Sequence, residues 1–371
     1  MHTETLYTLA LSLVSGFGSL TQRRLIESCG SAIKLFTEAD KLPMLTTKTK
    51  FLLRKEADSG RLFKKAEEII AREEAAGNRV LSIFDEEYPQ LLYHAADAPT
   101  VLFYKGNSKA LAAEHMLSIV GTRNATRYGN ALVEQIVSAL SQAVPDITIV
   151  SGLAFGIDIA AGRAALKEGL STIAVLASGL DEVYPREHLN EARCMLSQGG
   201  LLTEYPMMTG IERHQFVARN RIIAGLSPAT LVVESAVRGG ALLTASMAMD
   251  YDRDVYAVPG RLTDRYSEGC NRLIATGRAA TFHSIEEFIE SLGWATPTSS
   301  RVESSLFTTQ KQDFPDDPIL NLLREQETMH FNDLVVRLGL SAAELSGRLF
   351  DLELDGFIES IPGGRYGLAI K

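Results

Sequence analysis

The sequence predicts an α/β protein built on a mostly parallel, doubly wound sheet. Short, continuously apolar strands recur between residues 101 and 258, and amphipathic stretches with a helical period separate most of them. Strands of this kind are buried on both faces, which is typical of a parallel sheet covered by helices. Several of the strands end in glycine-bearing turns. Because ligands of open α/β sheets bind outside the carboxyl ends of the strands, the functional site is expected at these turns.

Seven strands and five helices are predicted in this central segment. The strands are Val101–Tyr104, Leu117–Val120, Ile147–Val150, Thr172–Leu176, Gly200–Thr203, Thr230–Val233 and Asp254–Val258. The helices that separate most of them are Asn130–Gln142, Ile157–Lys167, Leu189–Leu196, Phe216–Leu226 and Leu242–Met249.

Residues 1–80 are predicted to form a helical domain in front of the sheet domain, which spans residues 81–295. Its helices are expected at Leu6–Leu13, Leu20–Ser28, Ala32–Phe36 and Ser59–Ala75. The Gly16-Phe17-Gly18 turn resembles a helix-hairpin-helix, which presents backbone N–H groups to a DNA phosphate. A tight turn between two packed helices is the alternative.

Residues 296–316 are polar and predict a linker to a small third unit at residues 317–371. Three helices are expected there, at Ile319–Leu323, Phe331–Leu338 and Ala342–Leu354, with a capping box formed by Ser341 and Glu344 at the last. A β-hairpin around Pro362-Gly-Gly completes a winged-helix-like unit. The last helix carries more acidic than basic side chains, so this unit is expected to bind a protein or pack on the chain rather than bind DNA.

Composition excludes several classes of function. The net charge is −9, no apolar run reaches the roughly 20 residues of a membrane span, and the N-terminus lacks a signal-peptide pattern, which predicts a cytoplasmic protein. The three cysteines and seven histidines form no cluster, so neither a metal nor another cofactor is expected. No P-loop, dinucleotide fingerprint or catalytic triad is present. Catalysis is therefore not predicted.

The helix predicted after residue 215 carries the most informative pattern. It places Arg219, Asn220 and Arg221 between apolar residues and should offer them to its exposed side or to a pocket. Arginine forks bind phosphate oxygens, so this helix suggests a phosphate-binding surface. In the alternative interpretation, the arginines form ion pairs with Glu234 or Asp250 inside the fold.

Two strand-to-helix turns carry further candidates. Gly121 would let the backbone of its turn approach a bound anion closely. Arg123 would lie over the crevice; in the alternative interpretation it is a solvated side chain. In the second turn, Gly152 and Gly156 are small residues suited to close approach. Asp158 is expected to stabilise the following helix. The aromatic residue before Gly156 is expected in the core, with base stacking as the alternative.

Basic residues near Phe216 extend the pattern. Arg186 follows a Tyr-Pro pair at another strand end, and Arg213 precedes Phe216 by three positions. Arginines with an aromatic ring among them suit single-stranded nucleic acid, where charge follows the backbone and rings stack on bases. A solvated role is the alternative for Arg186.

Together these motifs resemble the DNA processing protein A (DprA, also called Smf) family. The resemblance is carried by Gly121-Thr-Arg123, Ser151-Gly-Leu-Ala-Phe-Gly-Ile-Asp158, Tyr184-Pro185, Phe216-x-x-Arg219-Asn220-Arg221-Ile-Ile-Ala-Gly-Leu-Ser227, Gly239-Gly240-Ala-Leu-x-Thr244 and Val258-Pro259-Gly260. It implies an extended Rossmann domain between an N-terminal helical (SAM-like) domain and a C-terminal winged-helix-like domain. It also implies a homodimer formed through the Rossmann domain.

The resemblance further implies a non-enzymatic protein that binds single-stranded DNA during natural transformation. Such a protein loads RecA recombinase onto the strand, in some members over single-strand-binding protein. The DNA contacts it implies are Arg123, Arg186, Arg213 and Phe216. A hydrolase similar to nucleoside-monophosphate phosphoribohydrolases is the alternative, although the comparable turn here, Arg238 to Thr244, lacks their glutamate.

Overall fold

The computed structural model describes residues 3–294, 317–326, 328–355, 357–361 and 365–368. The chain divides into two compact units, Met1–Ser300 and Arg301–Lys371. The predicted linker at 296–316 and the predicted turn at Pro362 lie outside the described residues.

Unit 1 is built on a nine-stranded sheet. Its strands, in chain order, are β1 Arg79–Ser82, β2 Val101–Gly106, β3 Met116–Val120, β4 Thr148–Ser151, β5 Ser171–Val175, β6 Gly200–Thr203, β7 Ala229–Val232, β8 Asp254–Ala257 and β9 Ala280–Thr281. In space they follow the order β1-β2-β6-β5-β4-β3-β7-β8-β9. The strands from β6 to β9 are parallel, whereas β2 pairs antiparallel with both β1 and β6.

Helices flank this sheet and precede it. They are α1 Thr3–Ser12, α2 Ser19–Cys29, α3 Ala32–Thr37, α4 Thr47–Ser59, α5 Arg61–Ala75, α6 Gln90–Tyr93, α7 Arg127–Ala143, α8 Ile157–Lys167, α9 Leu189–Gln198, α10 Arg213–Leu226, α11 Gly240–Asp250, α12 Glu268–Ala275 and α13 Ile285–Ser291. No helix in these ranges, or in the other described part of the chain, is long and apolar enough to cross a membrane.

The predicted doubly wound α/β class is confirmed, and the structure adds elements to it. Strands β1 and β9 and helices α4, α6, α12 and α13 are present in addition to the predicted set. The apolar runs of β3, β4 and β7 are fully buried because helices cover both faces of the parallel strands.

The N-terminal helices share a hydrophobic core with the sheet. Leu9, Leu35 and Ile70 from α1, α3 and α5 belong to one buried cluster with Leu102 of β2 and Val175 of β5. The predicted domain boundary at residues 80 and 81 falls within β1, and the division into separate domains stays a prediction.

Within residues 317–326, 328–355, 357–361 and 365–368, unit 2 has three helices and a three-stranded sheet, the arrangement of a winged helix. Its elements are α14 Pro318–Gln326, β10 Thr328–His330, α15 Phe331–Leu338, α16 Ala342–Leu354, β11 Ile358–Ile361 and β12 Arg365–Leu368, with the sheet order β10-β12-β11. Ile319, Leu334 and Leu345 lie in its own buried core. The predicted capping box of Ser341 and Glu344 is present at the start of α16.

The strand order of unit 1 reverses at β3. The chain passes from β3 to β4 and β5 on one side of that strand, whereas β7 and β8 lie on the other side. A reversal of this kind opens a crevice at the carboxyl ends of the strands, where the connecting turns diverge. The candidate site is built there.

Candidate functional site

A pocket of about 280 Å³ lies at this topological switch point. The turns after β3, β4 and β7 and the facing sides of α10 and α11 form its walls. Among the predicted site residues, those lining it are Gly121, Arg123, Phe216, Arg219 and Asn220. The structure therefore brings one side of α10 and the turn after β3 to the same crevice.

A smaller recess of about 30 Å³ extends from this crevice to the turns after β4 and β5. Arg123, Gly152, Phe216 and Arg219 line it together with Tyr184. The guanidinium carbon of Arg123 lies 5.5 Å from the centre of the Phe216 ring, and the Tyr184 ring meets Phe216 edge-on at 5.4 Å. A cation beside two aromatic rings can bind a phosphate and a base at the same point.

Three predicted arginines are exposed around these pockets. Arg123 follows β3, Arg186 follows Pro185 of the recess, and Arg213 begins α10 about one turn before Phe216. None of the three has an ion pair within residues 3–294. Arg186 and Arg213 do not line either pocket, so they are placed beside the crevice and not in it.

Arg219 is buried and lines the pocket, so of the two places predicted for it, the exposed side of α10 or a pocket, the structure has the second. Only 3% of it is accessible, and its Nη1 donates a hydrogen bond to the Val175 carbonyl oxygen at 2.7 Å. Burial lowers the pKa of Arg219, and the nearby Asp158 carboxylate opposes that shift. Burial likewise raises the pKa of Asp158, while Arg219 and the backbone N–H groups of Ala154 and Gly152 oppose the change. The pair forms the floor of the crevice.

Arg221 is also buried and is used in contacts within the fold. Its Nη2 donates to Glu204 Oε2 at 2.6 Å and to Ser19 Oγ at 2.9 Å, and Asp97 lies 3.8 Å from its Nε. These contacts link α10 to the N-terminal helices and to the end of β6. Because this ion pair is buried, removing either partner would leave an uncompensated charge and destabilise the wall that α10 provides.

The alternative interpretation, ion pairs inside the fold, holds for Arg221, but the partner is Glu204 and not Glu234 or Asp250. Glu234 instead accepts hydrogen bonds from the backbone and hydroxyl of Thr126, at 2.9 and 2.5 Å. Thr126 in turn caps α7 by accepting from the Gly129 N–H. Glu234 thus holds the start of α7, and with it the turn that carries Arg123.

The three predicted glycines permit close packing of these turns. A β-carbon at Gly121 would collide with Ile157, and one at Gly152 would collide with the Arg219 guanidinium. Gly156 has φ +78° and ψ −125°, and a β-carbon there would collide with the Thr122 carbonyl oxygen. The turns after β3 and β4 can therefore touch only because glycine occupies these positions.

Replacing Gly156 by alanine should destabilise unit 1 by roughly 2 kcal/mol or more, because strained backbone and a collision with backbone atoms combine. Urea unfolding monitored by the fluorescence of Trp294, the single tryptophan, measures this. Gly169→Ala, just after the other end of α8, is the control: its φ is +73°, but the space around it is open. That change should cost about 1 kcal/mol. Equal losses for the two variants would contradict the packing argument.

Sequence reasoning missed Tyr184 and preferred the wrong one of its two alternatives for the environment of Phe155. Tyr184 is 49% exposed and forms the second ring beside Arg123, although the sequence marked only its neighbour Arg186. Phe155 was expected in the core, but it is 43% exposed. Asp158 was expected to stabilise the start of α8; it lies in the first turn of that helix, but it also accepts from the preceding loop and faces Arg219. The position of Tyr184 two residues before Arg186 was a signal that could have marked it.

Two family models match the sequence. The model described as DNA recombination-mediator protein A matches residues 79–293, and the DprA winged helix domain matches residues 308–364. Protein Smf of Escherichia coli (strain K12) is 36% identical over 295 residues, which cover 78% of this chain and 78% of that protein.

Two solved structures resemble the chain over much of its length. The X-ray structure of DNA processing protein A from Streptococcus pneumoniae matches with a TM-score of 0.61 and 31% identity, covering 78% of this chain and 98% of that one. A structure of DNA processing protein A from Helicobacter pylori, which concerns its single-stranded DNA binding mode, matches with a TM-score of 0.53 and 28% identity. It covers 58% of this chain and 95% of that one.

Proposed function

The chain belongs to the DNA recombination-mediator protein A family, and from this membership we propose that it binds single-stranded DNA and delivers it to a recombinase. The observation that carries the proposal is the crevice at the switch point, where the Arg123 guanidinium lies beside the rings of Phe216 and Tyr184. An exposed cation next to two aromatic rings in edge-on contact suits a strand whose phosphates and bases are both accessible.

The charge distribution supports a local DNA interface at the crevice and not a generally basic surface. The protein carries a net charge of −9, so its overall field repels nucleic acid. Arg123, Arg186 and Arg213 are exposed and unpaired within residues 3–294, on the turns and helix end that surround the crevice. Screening limits the field of distant acidic residues to about 8 Å, so a strand in the crevice feels these cations most strongly.

In this function the buried and exposed residues have different roles. Arg123, Arg186 and Arg213 neutralise phosphates, and Phe216 stacks on a base. Gly121, Gly152 and Gly156 let the turns approach one another, while Arg219 and Arg221 hold the α10 wall. Asn220, half-buried at the crevice, offers an amide to the ligand.

The wider role proposed is that of a non-enzymatic mediator in the cytoplasm during natural transformation. It would protect incoming single strands and load RecA recombinase onto them, in exchange with single-strand-binding protein, as a homodimer formed through the Rossmann domain. The acidic side chains of α16, among them Asp351 and Glu353, favour a protein partner for unit 2.

A paired assay tests the proposal against the hydrolase alternative. The protein should shift an oligo-dT in a gel, bind duplex DNA of the same length more weakly, and release no base from nucleoside monophosphates. Base release without a shift of the oligonucleotide would contradict the mediator proposal and support the hydrolase alternative.

Arg123→Ala should weaken binding of every single-stranded sequence and lower the salt slope of log K by about 0.7, the value of one phosphate contact. Fluorescence anisotropy of labelled dT between 50 and 200 mM salt measures the slope. Arg278→Ala is the control, because it removes the same charge from an exposed arginine that lines neither pocket. An unchanged salt slope in a folded Arg123→Ala variant would show that Arg123 does not contact a phosphate of the bound strand.

A further inference from the structure

A second, larger groove lies on the other side of the turn that carries Arg123. It has a volume of about 940 Å³ and runs between α7, α8 and the short helical turn at residues 186–188. Arg123 and Phe155 line this groove and also the recess that leads to the crevice. The two residues therefore connect the groove with the proposed DNA site.

Phe155 has an unusual environment for an apolar side chain. It is 43% exposed on the turn between β4 and α8, and its ring contacts the His188 ring edge-on at 4.9 Å. His188 is buried, and its Nδ1 lies 2.8 Å from the Leu153 carbonyl oxygen. The phenylalanine ring is thus supported by a fixed neighbour while nearly half of its surface faces solvent. Such a ring can stack on a flat, partly apolar ligand.

The charges facing the groove are nearly balanced. Arg163 donates to Glu191 at 2.6 Å, and Glu134 lies 3.7 Å from Lys167. Glu187 and Arg123 are the remaining charged groups lining it. The groove therefore attracts phosphate much less than the crevice does.

Neutral polar groups complete the lining. Asn124 and Asn130 place amide groups along the groove. Amides both donate and accept hydrogen bonds, as the edges of nucleobases do. A supported aromatic ring with amides nearby and little net charge fits a base better than it fits a phosphate.

We propose that this groove is a second nucleobase site on the same strand. Arg123 holds the phosphate between two nucleotides, one base lies beside Phe216 and Tyr184, and the neighbouring base stacks on Phe155. The strand then bends around the Arg123 turn instead of ending in the crevice. This inference rests on the proposed function, since it needs a single strand bound at Arg123.

The test compares Phe155→Ala, Phe155→Leu and Phe155→Tyr in the full chain, using labelled dT. Loss of one stacked base should lower the affinity of the alanine and leucine variants about 5- to 150-fold, and tyrosine should keep nearly the wild-type affinity. The salt slope should be unchanged in all three, because no phosphate contact is removed. Leucine keeps an apolar contact to His188, so it separates loss of stacking from loss of folding.

A series of oligonucleotides with one abasic position each locates the base. In the wild type, one abasic position should weaken binding in addition to the position assigned to Phe216, and in Phe155→Leu that extra sensitivity should vanish. Wild-type affinity in Phe155→Leu, or an extra sensitive position that persists in it, would overturn the second base site. Failure of the wild-type protein to bind dT would instead overturn the proposed function itself.

Discussion

Replacing Arg219 by alanine destabilises unit 1 by about 3 to 5 kcal/mol, because the change leaves a buried carboxylate without its compensating cation. Asp158 is 8% exposed, and burial already raises its pKa even with Arg219 beside it. The variant also loses the hydrogen bond from Nη1 to the Val175 carbonyl. Urea unfolding followed through Trp294 gives the difference in the free energy of unfolding.

The pH dependence identifies the cause of this loss. Without Arg219 the pKa of Asp158 in the folded state rises further above its value in the unfolded state. An acid with a raised folded-state pKa destabilises the protein less as the pH falls through that pKa, so part of the loss should be recovered as the pH is lowered from 7 toward the unfolded-state pKa of about 4. The double variant Asp158→Asn with Arg219→Ala should lose less than the single variant. Arg213→Ala, at the exposed start of the same helix, should change stability by no more than about 0.5 kcal/mol. A loss in Arg219→Ala that is independent of pH and of Asp158 would contradict the ion-pair account.

Replacing Arg123, Arg186 and Arg213 together by alanine lowers the affinity for single-stranded DNA about a thousandfold or more. Each charge-assisted contact to a phosphate contributes about 1.5 to 3 kcal/mol, and the three exposed arginines surround one crevice. The salt slope should fall by about 2, which corresponds to three single-strand contacts at about 0.7 each. Anisotropy of labelled dT at several salt concentrations measures both quantities.

The matched control changes three exposed arginines elsewhere on unit 1: Arg54, Arg61 and Arg278. Net charge falls equally, but the slope and most of the affinity should be kept. If both triple variants lose the same affinity, the arginines act through overall charge, and the crevice is not the interface.

The sequence predicted the central fold because its parallel strands are buried on both faces and therefore show as short apolar runs. The apolar runs at β3, β4 and β7 are buried on both faces, and this pattern indicated a parallel sheet covered by helices. Helix α4 was missed because lysines and threonines interrupt its apolar pattern, although Thr46 caps its start and Gly60 its end. Strand β1 is short and lies at the sheet edge, where pairing with β2 rather than its own pattern defines it.

The sequence predicted the site residues that lie on one turn or helix next to the crevice. It did not predict the burial of residues whose partners come from distant segments. Gly121 and Arg123 follow a strand directly, and Phe216 lies on a helix that faces the same crevice. The burial of Arg219 depends on Asp158 and the Val175 carbonyl, and that of Arg221 depends on Glu204. Those partners come from other strands and turns, and the helical pattern of α10 cannot reveal them.

Photo-crosslinking tests the central claim most directly, because it reports which residues touch the strand. A dT oligonucleotide carrying one 5-iodouracil, irradiated with the full-length protein and analysed by peptide mass spectrometry, should crosslink to the peptides that contain Tyr184 and Phe216. Excess unlabelled dT should abolish these crosslinks, and duplex DNA should compete poorly. Crosslinks confined to residues 317–371, or to helices α1 to α5, would contradict the assignment of the crevice as the single-stranded DNA site.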